Sequence, residues 1–134
     1  MNAWWRQRLA PLWNFHGTPH ELAFAFGLGV AIGILPGTGA LAAAACAAIL
    51  RLNAPIMVAG SLLVNPFTTP FVYLGSYAVG RWLLGAHPFT WLAVNVVAQI
   101  LVGGLLLAIA LGVISYLVVF GVVLLVRARR RPVK

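Results

Sequence analysis

The stretch LLVNPFTTP, from Leu62 to Pro70, decides how this chain is read. It holds two prolines, an asparagine and two threonines, yet apolar runs flank it on both sides. Proline breaks a helix interior, whereas Asn followed by Pro is the pattern of a helix start. Asn65 then reads as the N-cap and Pro66 as the first helical position. The stretch predicts that one helix ends and another begins inside an apolar region.

A second interruption precedes it. The apolar run LAFAFGLGVAIGIL, Leu22 to Leu35, meets PGTG at Pro36 to Gly39, and ALAAAACAAIL then leads to Arg51. After Asn53, Pro55 opens PIMVAGSLLV, which breaks at Asn65-Pro66 and resumes as FVYLGSYAVGRWLLG to Gly85. Each half is roughly 10–15 residues, or about 15–22 Å as helix, too short to cross a hydrocarbon core of about 30 Å. Residues 22–51 and 55–85 are therefore read as two broken blocks, re-entrant or discontinuous. Pro36 to Arg51 and Pro66 to Arg81 span the same interval, which predicts an internal repeat.

Composition names the solvent. The 134 residues are 63% hydrophobic and 7% charged, with a mean hydropathy of +1.01. A soluble domain of this length needs a charged surface that this chain cannot build, so residues 1–134 are read as one all-α polytopic membrane domain. Nine Lys/Arg oppose a single acid, Glu21. Seven of the nine flank the apolar spans, Arg6 and Arg8 before them and Arg127, Arg129, Arg130, Arg131 and Lys134 after them, and only Arg51 and Arg81 fall between. That placement fits anionic lipid headgroups and the positive-inside pattern rather than nucleic acid. It favours a cytoplasmic C-terminus and, with Arg6 and Arg8, a cytoplasmic N-terminus. Both ends inside require an even number of crossings. One re-entrant block, one crossing block and a final helix satisfy this; two re-entrant blocks would put the ends on opposite sides.

The termini follow the same logic. Trp4, Trp5 and Trp13 with Arg6 and Arg8 make residues 1–20 an interfacial segment, with no apolar region and cleavage site of a signal peptide. Trp91 to Val126 is too long for one crossing by the helical rise. Residues 88–98, which include Asn95, are expected to be shallow or tilted, residues 100–126 to form the transmembrane helix, and residues 127–134 a basic tail.

Catalysis finds little material. Paired-carboxylate chemistry needs two acids. Ser61, Ser76 and Ser115 have no visible base. His16 and His20 are four apart, but Gly17 and Pro19 disfavour the helix that a metal pair requires. Cys46 sits in an alanine run as a small packing residue. We therefore expect no enzyme, no metal and no cofactor. Arg51 and Arg81 each close an apolar half-helix, where a cation suits the negative dipole end and snorkels to the interface. Asn53 caps a helix end. These three are read as structural or interface residues.

The breaks are the candidate binding site: Pro36, Gly37, Thr38 and Gly39 in the first, and Asn65, Pro66, Thr68 and Thr69 in the second. Helix N-termini buried in lipid must satisfy their free N–H groups with side chains, water or a ligand, and such ends favour anions. A self-satisfied crossing of two hairpins is the other reading of the same residues.

The pattern Gly29-x-x-x-Gly33-x-x-Pro36, Arg51-x-Asn53, Gly60, Asn65-Pro-x-Thr68-x-Pro70, Tyr77 and Gly80 resembles a family of small bacterial membrane proteins, domain of unknown function 2062. The resemblance covers roughly residues 10 to 130. It implies a multi-pass protein of the bacterial inner membrane with three or four hydrophobic segments. It also implies a link to envelope glycolipid work, because some relatives look fused to glycosyltransferase-like domains. Two functions follow. The first is a small transporter, channel or lipid-handling protein with an anionic solute or lipid phosphate at the breaks. The alternative is a non-transporting scaffold or accessory subunit for an envelope glycosyltransferase system. So few helices barely enclose a polar path, so a homo-oligomer is expected.

Overall fold

A computed structural model describes residues 17–37, 39–85 and 92–130. Thr38, most of the interfacial segment expected over residues 1–20, residues 86–91 and the last four residues of the basic tail lie outside the described residues. The fold is all-helical: α1 Pro19–Ile34, α2 Ala40–Leu50, α3 Ala54–Ser61, α4 Thr69–Leu84 and α5 Leu92–Arg129.

Local chemistry explains where each helix starts and stops. Thr18 and Glu21 form a capping box at α1, with the Glu21 N–H donating to Thr18 Oγ1 (3.2 Å) and the Thr18 N–H to Glu21 Oε2 (2.9 Å). The chain's single acid is thus spent on satisfying a helix start. α1 ends just before Pro36, whose ring disfavours helical backbone at the preceding residue. Indeed Leu35 is extended, at φ −67° and ψ 131°. Alanine-rich α2 closes on Arg51, which adopts the left-handed conformation (φ 55°) that Gly or Asn usually supplies. Asn53 then caps α3 through the Ile56 N–H, with Pro55 in its first turn. α4 ends at Gly85, φ +74°, whose carbonyl accepts from Gln99 Nε2 at 3.2 Å.

The long helix organises the rest. Along α5, Gln99, Gly103 and Leu107 meet Gly80, Ser76 and Gly75 of α4, in that order. Further on, Gly112 and Tyr116 meet Ala31, Gly27 and His20 of α1. Both α1 and α4 therefore run antiparallel to α5 and occupy consecutive stretches of it. On the other side of α1, Gly29 lies against Met57 and Gly33 against Ser61, so α3 runs parallel to α1. α2 returns the chain between them. Block 22–51 is consequently a hairpin, whereas α3 and α4 of block 55–85 continue in one direction. The two Pro-to-Arg intervals hold helices of different length, 11 residues in α2 and 16 in α4, with α2 packed on α3 and α4 on α5.

Residues 92–98 do not form a segment separate from 100–126. They are the first turns of one continuous 38-residue helix, about 57 Å long by the usual rise. The physical reason is plain in the sequence: no Pro or Gly interrupts Leu92 to Val102. Gln99 spends its side chain on the end of α4 rather than on its own backbone. This helix is long and apolar enough to cross a membrane, and only 6% of its most apolar window is buried inside the chain.

Burial is inverted relative to a soluble protein. The buried apolar residues are mostly alanine, and Met57 is the largest fully buried hydrophobic side chain. Leu41, Phe67 and Trp82 stand 89%, 85% and 82% exposed. Glycine contacts take the place of large core side chains. A Cβ added at Gly29 would sit 2.0 Å from the Met57 carbonyl oxygen, and one at Gly80 would sit 1.8 Å from that of Gln99.

Candidate functional site

The end of α1 and the start of α4 meet at mid-length of α5. Val30, Ile34 and Ala108 are buried there, with Leu35, Val64, Val72 and Leu107 packed around them. Both breaks open onto this point. They enclose a cavity of about 150 Å³, lined from the first break by Leu35, Gly37, Gly39 and Ala40 and from the second by Ser61, Leu62, Val64, Thr69, Val72 and Tyr73.

The second break is closed by its own side chains. Asn65 Oδ1 accepts from the N–H groups of Phe67 (2.9 Å) and Thr68 (3.1 Å). In return, Thr68 Oγ1 accepts from the Asn65 N–H at 2.9 Å and donates to the Leu63 carbonyl at 2.9 Å. The Thr69 N–H and hydroxyl both donate to the Asn65 carbonyl, at 2.8 and 2.7 Å. Pro66 and Pro70 carry no N–H. From Pro66 to Pro70, every amide hydrogen is therefore taken locally. Asn65 is not the N-cap of α4 and Pro66 is not its first residue: the helix proper starts at Thr69, with Thr68 as an N-cap that makes no side-chain cap bond. A turn held by the Asn65 carboxamide comes first.

The first break differs. The N-cap of α2 is Gly39, extended at φ 166°, and it has no side chain to bond the first turn. Gly37 adopts φ +77°, which a side chain rarely tolerates. A Cβ built at Gly37 or Gly39 meets nothing within 4 Å, so there is open space beside both. Of the eight break residues singled out in the sequence, Gly37, Gly39 and Thr69 line the shared cavity. Pro36, Asn65, Pro66 and Thr68 shape the turns around it, and Thr38 lies outside the described residues.

Sequence reasoning missed Ser61 and Tyr73. Ser61 is 3% exposed and donates to the Val58 carbonyl at 2.8 Å. Tyr73 lies one turn after Thr69, at the i+4 spacing that shares a helix face, and that spacing is the signal that could have found it. Arg51 is exposed at the far end of α2, and Arg81 is exposed on α4, where its Nη1 donates to the Tyr77 hydroxyl at 3.3 Å. Neither lines the cavity.

A family profile described as an uncharacterized protein conserved in bacteria, DUF2062, matches residues 2–132. The chain belongs to this family. No curated protein matches it, and no solved structure does. The residues that carry the DUF2062 pattern have visible structural work. Gly29, Gly33 and Gly60 let α1 and α3 approach backbone to backbone, and Gly80 does the same for α4 on α5. Asn53 caps α3, while Asn65 and Thr68 close the second break. The pattern describes a scaffold that brings two helix breaks to one point.

Proposed function

We propose that this chain is a polytopic protein of the bacterial inner membrane that passes a small anion through a site at its paired helix breaks. The observation that carries the reading is the shared cavity at mid-length of α5, to which both breaks contribute. Its size selects the ligand. At about 150 Å³ it is smaller than the roughly 300–1,000 Å³ of sites for drug-sized molecules, so a phosphate-sized solute suits it better than a lipid headgroup. The attraction comes from the start of α2, whose N-cap brings no side-chain acceptor, and from the hydroxyl of Tyr73. Paired broken blocks are the sequence pattern of transporter folds, and an ancestral repeat is consistent with their equal Pro-to-Arg intervals.

The topology that fits is an even one. α1 and α2 form a re-entrant hairpin, α3 and α4 form one discontinuous crossing, and α5 returns. An Arg127 N–H donates to the Gly17 carbonyl, so the start of α1 and the end of α5 lie together. With the basic tail, this supports a cytoplasmic C-terminus and an N-terminus on the same side. The anion path of a chain this small is completed by a homo-oligomer.

A second reading has its own support. The closed bonding of Asn65 and Thr68 suits a rigid scaffold, and such a scaffold would serve an envelope glycosyltransferase as an accessory subunit. Vesicles loaded with phosphate separate the two. Under the transport reading, wild-type protein gives flux and Gly39→Leu stops it, since the added Cβ enters open space at a residue that lines the cavity. Tyr73→Phe slows it. Absence of flux from the folded wild-type chain would overturn transport and leave the scaffold.

A further inference from the structure

We propose that the groove between α1 and α5 holds one acyl chain of an anionic phospholipid, with the headgroup at the end marked by His20, Tyr116 and Arg127. The site is distinct from the break cavity, its polar end lies at the opposite end of α1, and it rests on the membrane reading alone. The groove has a volume of about 500 Å³ and apolar walls that include Phe24 and Leu28 of α1 and Ile109 and Val113 of α5. Gly27 and Gly112 form its floor, where the two backbones touch. Phe24, Ile109 and Val113 are 46%, 57% and 53% exposed, so the groove is open sideways, where a chain in a bilayer would enter.

Its length and polarity match one lipid leaflet. From Ala31 to His20 the groove follows α1 for about 16 Å, close to half of a hydrocarbon core of about 30 Å. The polar groups gather at one end only. There His20 Nδ1 and the Tyr116 hydroxyl share a hydrogen bond, with the two rings edge to face at 5.5 Å. Just beyond lies a second hollow of about 480 Å³, lined by Pro19, Leu124, Arg127 and Ala128. Arg127 uses one donor on the Gly17 carbonyl, and a guanidinium has five. Arg129 follows it on α5 and Arg130 just after, while Glu21, the only acid, has a carboxylate oxygen engaged by the Thr18 N–H. An apolar trough that leads to Arg127 and the basic end of α5 has the polarity of a phospholipid with a negative headgroup.

The test uses the full chain purified in detergent, exchanged against phosphatidylglycerol or phosphatidylcholine and weighed by native mass spectrometry. Wild type is expected to retain about one phosphatidylglycerol per chain in preference to phosphatidylcholine. Val113→Trp and, independently, Ile109→Trp fill the trough and displace the lipid, while circular dichroism shows the helices intact. Arg127→Gln lowers the preference for phosphatidylglycerol about fivefold, the equivalent of about 1 kcal/mol for one cation at a membrane surface. Gly39→Leu, which addresses the break cavity, leaves lipid retention unchanged. Equal retention of both lipids by wild type, or unchanged phosphatidylglycerol in the two folded Trp variants, would overturn the groove and leave the transport reading standing. Release of the chain from membranes by alkaline carbonate would overturn the membrane reading and the groove with it.

Discussion

Replacing Gly80 with alanine should unfold the α4–α5 contact, and the size of the effect follows from one distance. The new Cβ would lie 1.8 Å from the Gln99 carbonyl oxygen and 2.7 Å from its Cα. Real Cβ contacts essentially never fall under 3.0 Å. The obstacle is helix backbone, which cannot swing aside as a side chain does. The helices must separate by roughly an ångström, and a gap of that size forfeits about a quarter to a half of the dispersion energy of each contact it opens. Under the membrane proposal that loss has no hydrophobic offset, because helix association in lipid rests on close packing. Overpacking costs about 1–3 kcal/mol in ordinary cores, and a rigid backbone clash belongs at or above the upper end. Alanine's better helix propensity returns only about 1 kcal/mol. Gly121→Ala is the matched control, since its Cβ meets nothing within 4 Å, and it should be neutral or stabilising by up to about 1 kcal/mol. Helicity followed through a denaturing detergent titration reads both. Equal midpoints for Gly80→Ala and Gly121→Ala would refute backbone contact at Gly80 as the source of α4–α5 cohesion.

Three further substitutions probe the turns and caps. Asn65→Ala leaves the Phe67 N–H without its acceptor and the Thr68 N–H with only the Asn65 carbonyl, and should cost about 1 kcal/mol in the same titration, while Asn65→Asp keeps the acceptor and should cost less. Gly37→Ala meets open space yet must hold φ +77°, so it should lose about 1 kcal/mol from backbone strain alone, and Gly37→Asn should lose less. Gln99→Leu removes the donor to the Gly85 carbonyl and should cost about 1 kcal/mol, with faster amide exchange over the last turn of α4 as its local signature.

Both breaks are legible in the sequence because proline and glycine act locally. Pro36 ends α1, Asn53 and Pro55 open α3, and Asn65 with Pro70 brackets the entry to α4. Helix pairing is less legible, because it depends on registers between distant residues. Gly80 announces a close approach, but nothing local says that Gln99 is its partner. The boundary expected between residues 98 and 100 fails for a different reason. A single Asn95 and a length too great for one crossing suggest it, yet neither removes a backbone hydrogen bond, so the helix runs on. The break cavity is half legible: its glycines stand out as punctuation, whereas Tyr73 looks like any aromatic residue of an apolar helix.

The exposed surface bears on the surroundings the fold needs, and the breaks on where the proposed site would lie. Burying one Leu or Phe side chain is worth about 1.5–3 kcal/mol, and a folded domain is stable by only about 5–15 kcal/mol. Leu41, Phe67, Phe71 and Trp82 alone, each at least 75% exposed, would forfeit an amount comparable to that whole margin in water. Their side chains need lipid or another protein around them. In such surroundings every backbone polar group must be satisfied within the protein. The second break meets that demand through Asn65 and Thr68. The first meets its share with Gly39 at the N-cap, which offers no side-chain acceptor to the first turn of α2. Under the transport proposal, this asymmetry puts the ligand-binding side of the cavity at Gly37 to Ala40. The Asn-Pro-x-Thr-x-Pro turn is then the rigid wall against which that side is held.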